Sequence, residues 1–276
     1  MTGGAESWLI DLHGADDVWD DAACRGDLSP EESRRAARLR PASAVTYVRS
    51  RSAVRRVLAH VLGGSPADLP VAAAPNGRPV LPNHPGMHVS WSRSAGVLLV
   101  AMSRGGPVGA DVEAVRPVKS PGRVLRTFYP DTAALGDIDD PEVFLSAWTL
   151  LEAAVKATGR GLAKGAGDVR LHRPPGARHC ALLGIGAGTG GAREWSARTD
   201  RFTPPRSSVP VITAVVVRGA ATPDRPHTWR FPGTATAATP QPRRPRPLAS
   251  RRGHVGAGSD AEPNRPTLGR LEIAQC

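Results

Sequence analysis

At 276 residues with 40% apolar side chains, the chain can bury a substantial core as one large or two modest domains. Its formal net charge of +11 suits phosphate groups, nucleic acid or an acidic protein surface, and charge alone does not choose among them. Cys24, Cys180 and Cys276 are far apart and form no C-x-x-C pair, which argues against a disulfide framework or zinc site and for a reducing compartment.

The opening M-T-G-G-A-E-S-W lacks a basic segment followed by an apolar one, and no apolar run approaches a membrane span, so a cytoplasmic protein with no membrane association is expected. Ser29-Pro30-Glu31-Glu32 has the form of a capping box with proline in the first turn, predicting a helix to about Arg40 before Pro41. A longer helix is expected over 43–62, apolar at Val54, Val57, Leu58, Val61 and Leu62 and ended by Gly63-Gly64. Asn76-Gly77 signals a turn, followed by Arg78-Pro79 and a short apolar Val80-Leu81. Residues 87–94 read as a strand entering a loop, and 97–102 as a buried strand of six apolar residues.

In G-P-V-G-A-D-V-E-A-V (residues 106–115), Val108, Ala110 and Val112 alternate with Gly109, Asp111 and Glu113, which predicts a short strand. Asp111 and Glu113 then point to one side, about 6–7 Å apart along the strand. After a hinge over 116–122, residues 124–129 open a second half. A helix is bounded by Asp140 as cap, Pro141 in its first turn, Glu142 at its positive end and Gly159 as its stop. On it Trp148, Glu152 and Lys156 recur every four residues and share one stripe. Taken singly, an Asp-x-Glu pair is ordinarily a solvated face and Glu152/Lys156 an ordinary surface ion pair. Together, three carboxylates are hard oxygen donors of the kind Mg²⁺ uses when it keeps waters and binds substrate phosphates.

Residues 168–172 and 209–217 read as further strands. The run Gly184 to Gly191 lacks the strand, helix and acidic residue of a dinucleotide fingerprint, so a hairpin or loop is expected there. From Gly219 on, Pro, Arg, Thr and Gly dominate, with nine basic and four acidic residues; few large apolar side chains remain, and a disordered tail is expected over 219–276.

The order of these fragments resembles the Sfp-type 4′-phosphopantetheinyl transferases. The matching pieces are L-S-P-E-E-S-R-R-A-A-R (28–38), Y-V-R-S-R-S-A-V-R-R-V-L-A-H-V-L-G (47–63), N-G-R-P-V-L-P (76–82), H-V-S-W-S-R-S (88–94), G-A-D-V-E (109–113) and the Trp148 helix. The resemblance implies an α+β fold of two pseudo-symmetric halves, each a small, mostly antiparallel sheet packed against a long helix, with the active site in the cleft between them. The halves would be 1–115, on the coenzyme A side, and 116–218, carrying the catalytic helix, followed by the tail 219–276. It implies transfer of the 4′-phosphopantetheine arm of coenzyme A to a serine of an acyl or peptidyl carrier protein, with release of 3′,5′-ADP. Asp111, Glu113 and Glu152 would hold Mg²⁺, Glu152 would accept the serine proton, and Lys156 would neutralise charge on the phosphates.

On the coenzyme side the resemblance points to Arg78, a guanidinium fork matched to phosphate oxygens, and to Ser90 and Trp91 in place of the family's S-H-S loop. Three positions depart from the family pattern. Thr46 stands where an arginine precedes the helix tyrosine, with Arg49 or Arg51 as substitutes. Trp91 replaces a histidine and carries no charge, leaving Ser90 and Arg93 for phosphate contacts. Leu151 replaces the lysine that precedes the glutamate. All three metal-side carboxylates are intact. Two other readings stay open: a catalytically impaired relative that binds carrier protein or coenzyme A without transfer, and a nucleic-acid binder using the Arg/Pro tail. Nothing in the body matches a nucleic-acid reading element, so no nucleic-acid partner is expected, and the resembled type acts as a monomer.

Overall fold

The computed structural model of the chain describes residues 5–14, 19–129, 131–186, 194–219 and 221–229. The fold is mixed α+β, with small sheets and several helices. Strand β1 (Ala5–Asp11) is followed by helices α1 (Asp21–Gly26), α2 (Pro30–Ala37) and α3 (Pro41–Leu62). Then come the short strands β2 (Ala72–Ala73) and β3 (Pro79–Val80), and the longer β4 (His88–Ser94), β5 (Val97–Ser103) and β6 (Val108–Ala114). The rest comprises α4 (Pro121–Phe128), α5 (Pro141–Thr158), α6 (Leu162–Gly165), β7 (Val169–His172), β8 (Ala181–Ile185), β9 (Trp195–Phe202), β10 (Val211–Arg218) and β11 (His227–Trp229).

One sheet runs β11-β1-β5-β4 and another β6-β10-β9, with β2-β3 and β7-β8 as two-stranded pairs. Every pairing is antiparallel except β1 with β11. Strict alternation sorts the core. In β5, Leu98, Val100 and Met102 join a cluster with Val54, Val57 and Leu58 of α3. Val97, Leu99 and Ala101 instead join Val108, Ala110, Val112 and Ala114 of β6 and Val211, Val215 and Val217 of β10. The other face of β10, through Ile212, Ala214 and Val216, packs against Leu150, Leu151 and Ala154 of α5. A strand buried on both faces reads as a continuous apolar run, which is why 97–102 was legible.

Helix boundaries follow their caps. Ser29 and Glu32 form the reciprocal capping box, but α2 ends at Ala37 rather than near Arg40. Pro41 does not merely stop it; lacking an N–H, it suits the first position of α3, with extended Arg40 as N-cap. Asp140 accepts from the amides of Glu142 and Val143 at the start of α5, and Gly159 closes it at φ 71°, a left-handed conformation that costs glycine little.

The sequence-based reading passed over β1, β8, β9 and α1. It also left everything after Gly219 outside the fold, and there the near end is corrected: β11 pairs with β1 in the register Trp8–His227, Leu9–Thr228 and Ile10–Trp229, and Trp229 meets the His60 ring edge-on at 4.8 Å. The expected loop over 184–191 begins with the end of β8 and Gly186; the remainder lies outside the described residues, as do 230–276. The compact unit containing all described elements runs to Ala238. Among the described residues no helix is long and apolar enough to cross a membrane.

Candidate active site

The site starts from a glycine. A Cβ at Gly109 would stand 1.9 Å from the Ala153 carbonyl oxygen and 2.5 Å from the Ala157 amide nitrogen, so β6 and α5 touch backbone to backbone through the small residues Gly109, Ala153 and Ala157. Gly109, Asp111 and Glu113 share a strand face, opposite to the buried Val108, Ala110, Val112 and Ala114. The close approach therefore carries Asp111 up to the helix stripe of Glu152 and Lys156.

The Lys156 ammonium lies 2.6 Å from Asp111 Oδ1 and 3.7 Å from Glu152 Oε2. It also donates to Ser92 Oγ at 3.2 Å, and Ser92 donates to Asp111 Oδ1 at 2.7 Å. Glu113 accepts from Ser94 Oγ at 3.1 Å and from Arg116 at 2.9 Å. Asp111 is 1% exposed. Burial pushes its carboxyl up, against the pull of Lys156 and the Ser92 hydroxyl. Burial and the neighbouring Asp111 charge push Glu152 up to about 7, partly offset by Lys156. Burial alone would lower Lys156, but Asp111, Glu152 and Glu113 outweigh it and hold the ammonium charged. Lys156 thus links Asp111 to Glu152, and Glu113 follows two residues along the strand from Asp111.

The fit to a divalent cation can be judged on one atom. Asp111 Oδ2 is buried and has no hydrogen-bond donor among the described residues, and a carboxylate oxygen withdrawn from water needs a compensating positive partner. With Glu113 and Glu152 beside it, the donor set is all oxygen and suits a hard cation. Among the described residues no three His, Cys, Asp or Glu side chains already surround one cation position; the Lys156 ammonium stands between Asp111 and Glu152.

The residues named for the coenzyme side are distributed differently. Arg51 donates to Glu32 Oε1 at 2.8 Å, and its guanidinium lies 5.0 Å from the Trp91 ring centroid, a cation–π pair. Trp91 packs against the α3-side core, on the face of β4 opposite Ser90 and Ser92. Ser90 is buried, and its hydroxyl accepts from the Ala110 amide at 3.0 Å. Arg49 is buried and bonds Asp21 and the Gly14 carbonyl, while Thr46 bonds back to the Ala42 carbonyl. Arg78 reaches the Ala157 carbonyl at the end of α5 at 3.5 Å. Its second terminal nitrogen, Nη2, is buried with no acceptor among the described residues, and desolvation lowers its pKa. Beside it Asn76 donates to the Gly159 carbonyl at 2.9 Å.

Two departures from the family pattern acquire a physical setting. Leu151 is fully buried in the α5 core, about a hundred degrees around the helix from Glu152. Trp91 has its positive partner in Arg51. Trp148 stacks on Phe144 at 6.0 Å and meets Phe128 edge-on at 5.8 Å; it anchors α5 beside α4.

Sequence reasoning missed Ser92 and Ser94 as contacts of the acids, and Asn76 as a contact of α5. A signal was present in Ser90-x-Ser92-x-Ser94, three hydroxyls at strand period along one edge strand. Ser90 and Ser94 accept from the Ala110 and Ala114 amides, so hydroxyls rather than a backbone ladder join β4 to β6.

Residues 107–204 match the family model of the 4′-phosphopantetheinyl transferase superfamily, a stretch that contains Asp111, Glu113, Glu152 and Lys156. The chain is 28% identical over 166 residues to the 4′-phosphopantetheinyl transferase HetI of Nostoc sp., covering 57% of this chain and 69% of that protein. It is 29% identical over 152 residues to a Synechocystis sp. protein that bears the name "Putative 4′-phosphopantetheinyl transferase slr0495", covering 51% of this chain and 61% of that one. The stretch that carries the acidic cluster is therefore similar to the 4′-phosphopantetheinyl transferase superfamily.

Proposed function

We propose that the protein is an Sfp-type 4′-phosphopantetheinyl transferase that converts an apo acyl or peptidyl carrier protein to its holo form, using coenzyme A and Mg²⁺ and releasing 3′,5′-ADP. The observation that carries this reading is the meeting of buried Asp111 with half-buried Glu152 and Lys156, inside the stretch that matches the superfamily. In this reading, α3 with the β1 sheet and α5 with the β6 sheet are two halves of like build, the catalytic cleft lies between them, and residues beyond the compact unit are dispensable for transfer.

Phosphoryl transfer of this kind asks for positioning and charge stabilisation. Asp111, Glu113 and Glu152 would hold Mg²⁺, which when bound polarises the pyrophosphate as a Lewis acid. The serine oxygen of the carrier forms a bond to the phosphorus that bears pantetheine, and the bond from that phosphorus to the ADP oxygen breaks. Glu152, raised toward neutrality by its buried setting, takes the serine proton. Lys156, at the rim of the acids, neutralises charge growing on the departing phosphate. Arg78 offers Nη2, which has no acceptor among the described residues, to a coenzyme phosphate. Arg51 and Trp91 form a platform at the coenzyme end, and Ser90 supports it from the seam with β6.

The test is incubation of the purified chain with coenzyme A, Mg²⁺ and an apo carrier, followed by weighing the carrier. One phosphopantetheinyl group gained, with 3′,5′-ADP released, is the expected result. Asp111→Ala and Glu152→Ala should each lower transfer by about a thousand-fold or more, the scale of removing a central electrostatic group, while circular dichroism stays unchanged. Undiminished transfer in either would discard this site. Binding of coenzyme A or carrier without any mass gain would make the chain a non-transferring relative.

A further inference from the structure

We propose that Ser92 is a positioning residue of the acidic site: its hydroxyl holds Asp111 by Oδ1, which keeps Oδ2 as the buried oxygen offered to a divalent cation. The proposal rests on the transfer reading above for the nature of that cation and deepens it.

A carboxylate on a short side chain rotates about a broad, two-fold torsion, so one contact must decide which oxygen faces the ligand. Lys156 lies close to Oδ1, but an ammonium on a flexible stem is a point charge with rotatable donors. It also opposes any second cation brought to the same oxygens. Ser92 is neutral and holds Oδ1 from the opposite element at 2.7 Å. It accepts from Lys156 at 3.2 Å, so one hydroxyl aligns both charged groups, within the donor and acceptor capacity of a serine.

The frame behind that hydroxyl is stiff. Ser92 pairs with Leu99 in the β4–β5 ladder. On either side of it, Ser90 and Ser94 accept from β6 amides at 3.0 and 3.1 Å. These two neighbours set the register of β4 on β6, and Ser92 uses that register to reach Asp111. The result is the arrangement found here, with Oδ1 doubly engaged and Oδ2 buried without a donor among the described residues.

The experiment is a Mn²⁺ titration of the full-length chain, followed by electron paramagnetic resonance, alongside steady-state transfer kinetics. Ser92→Ala should weaken Mn²⁺ binding by about ten-fold and lower kcat by a similar factor, the scale of one hydrogen bond to a charged group, with KM for coenzyme A unchanged. Ser92→Thr, which keeps the hydroxyl and suits a strand, should stay within about three-fold of wild type on both measures. Should Ser92→Ala fail to fold, Ser92→Cys, near in size but a weak donor, should show the same loss. Mn²⁺ affinity unchanged in Ser92→Ala or in Ser92→Cys overturns the proposal, and so does a loss in Ser92→Thr equal to that in Ser92→Ala. Wild-type protein that binds no Mn²⁺ overturns it whatever the transfer assay gives. Protein whose Mn²⁺ affinity depends on the Ser92 hydroxyl but which transfers nothing removes the transfer reading and leaves this one standing.

Discussion

Glu32 illustrates how a single residue can serve two structural levels at once. Its carboxylate closes the capping box with the Ser29 amide at 3.0 Å and accepts from Arg55 at 2.5 Å and Arg51 at 2.8 Å. Arg55 is itself buried, and its Nη1 donates to the Pro66 and Leu69 carbonyls. Burial pushes the Glu32 carboxyl up, but Arg51, the Ser29 amide and Arg55 together hold it below its ordinary 4.5. A carboxyl whose folded pKa is depressed stabilises the fold above its unfolded pKa, and the contribution is lost as pH falls through the folded value. Unfolding by urea should therefore show Glu32→Gln less stable than wild type by about 3 kcal/mol at pH 7, because a buried guanidinium loses its counter-charge. The gap should narrow in acid below pH 4.5, and a gap that stays constant with pH would assign the loss to packing. Arg51, shared between Glu32 and Trp91, also ties this network to β4.

At the level of elements, the contact between β6 and α5 organises everything else. Gly109 accepts no side chain because the Ala153 carbonyl oxygen would lie 1.9 Å from its Cβ. Gly109→Ala should force the helix off the strand, lowering stability by about 3 kcal/mol, at the upper end of overpacking. It should abolish transfer even where the protein still folds, since Glu152 and Lys156 would withdraw from Asp111. Thermal unfolding and the carrier mass assay read the two effects separately; an active, equally stable variant would show that the contact is not needed. The caps of α5 were legible because Asp140, Pro141 and Gly159 act within one turn of the helix ends. The start of α3 at Pro41 was not, since the same proline both ends one helix and opens the next.

Across the whole molecule, the question is where the fold stops. Composition after Gly219 suggested an unstructured tail, yet β11 adds to the β1 edge, and Trp229 contributes to the α3-side core. A chain ending at Ala238, the limit of the compact unit, should keep full stability and transfer. A chain ending at Gly219 should expose the β1 edge and lose the contact of the partly buried Trp229, with a fall of about 1–2 kcal/mol measured by urea unfolding. Equal stability of the two truncations would return β11 to the tail.

Taken by itself, the chain's order of residues determined what acts over a few positions. It set the capping box, the bounds of α5, the alternation that buries β5 on both faces, the strand face shared by Asp111 and Glu113, and the helix stripe shared by Glu152 and Lys156. Only the tertiary structure decided which of these meet and what stands between them. Asp111 and Lys156 are 45 positions apart, Ser92 and Lys156 are 64 apart, and no periodicity links such pairs. The folded chain placed an ammonium among the acids, turned Leu151 into the core, gave Ser90 to the seam with β6, and paired Arg51 with Trp91 on the other face of β4. The physical reason is that caps and periodic faces arise from local backbone geometry. The partners of a buried charge are set instead by which surfaces the whole core brings within hydrogen-bond reach.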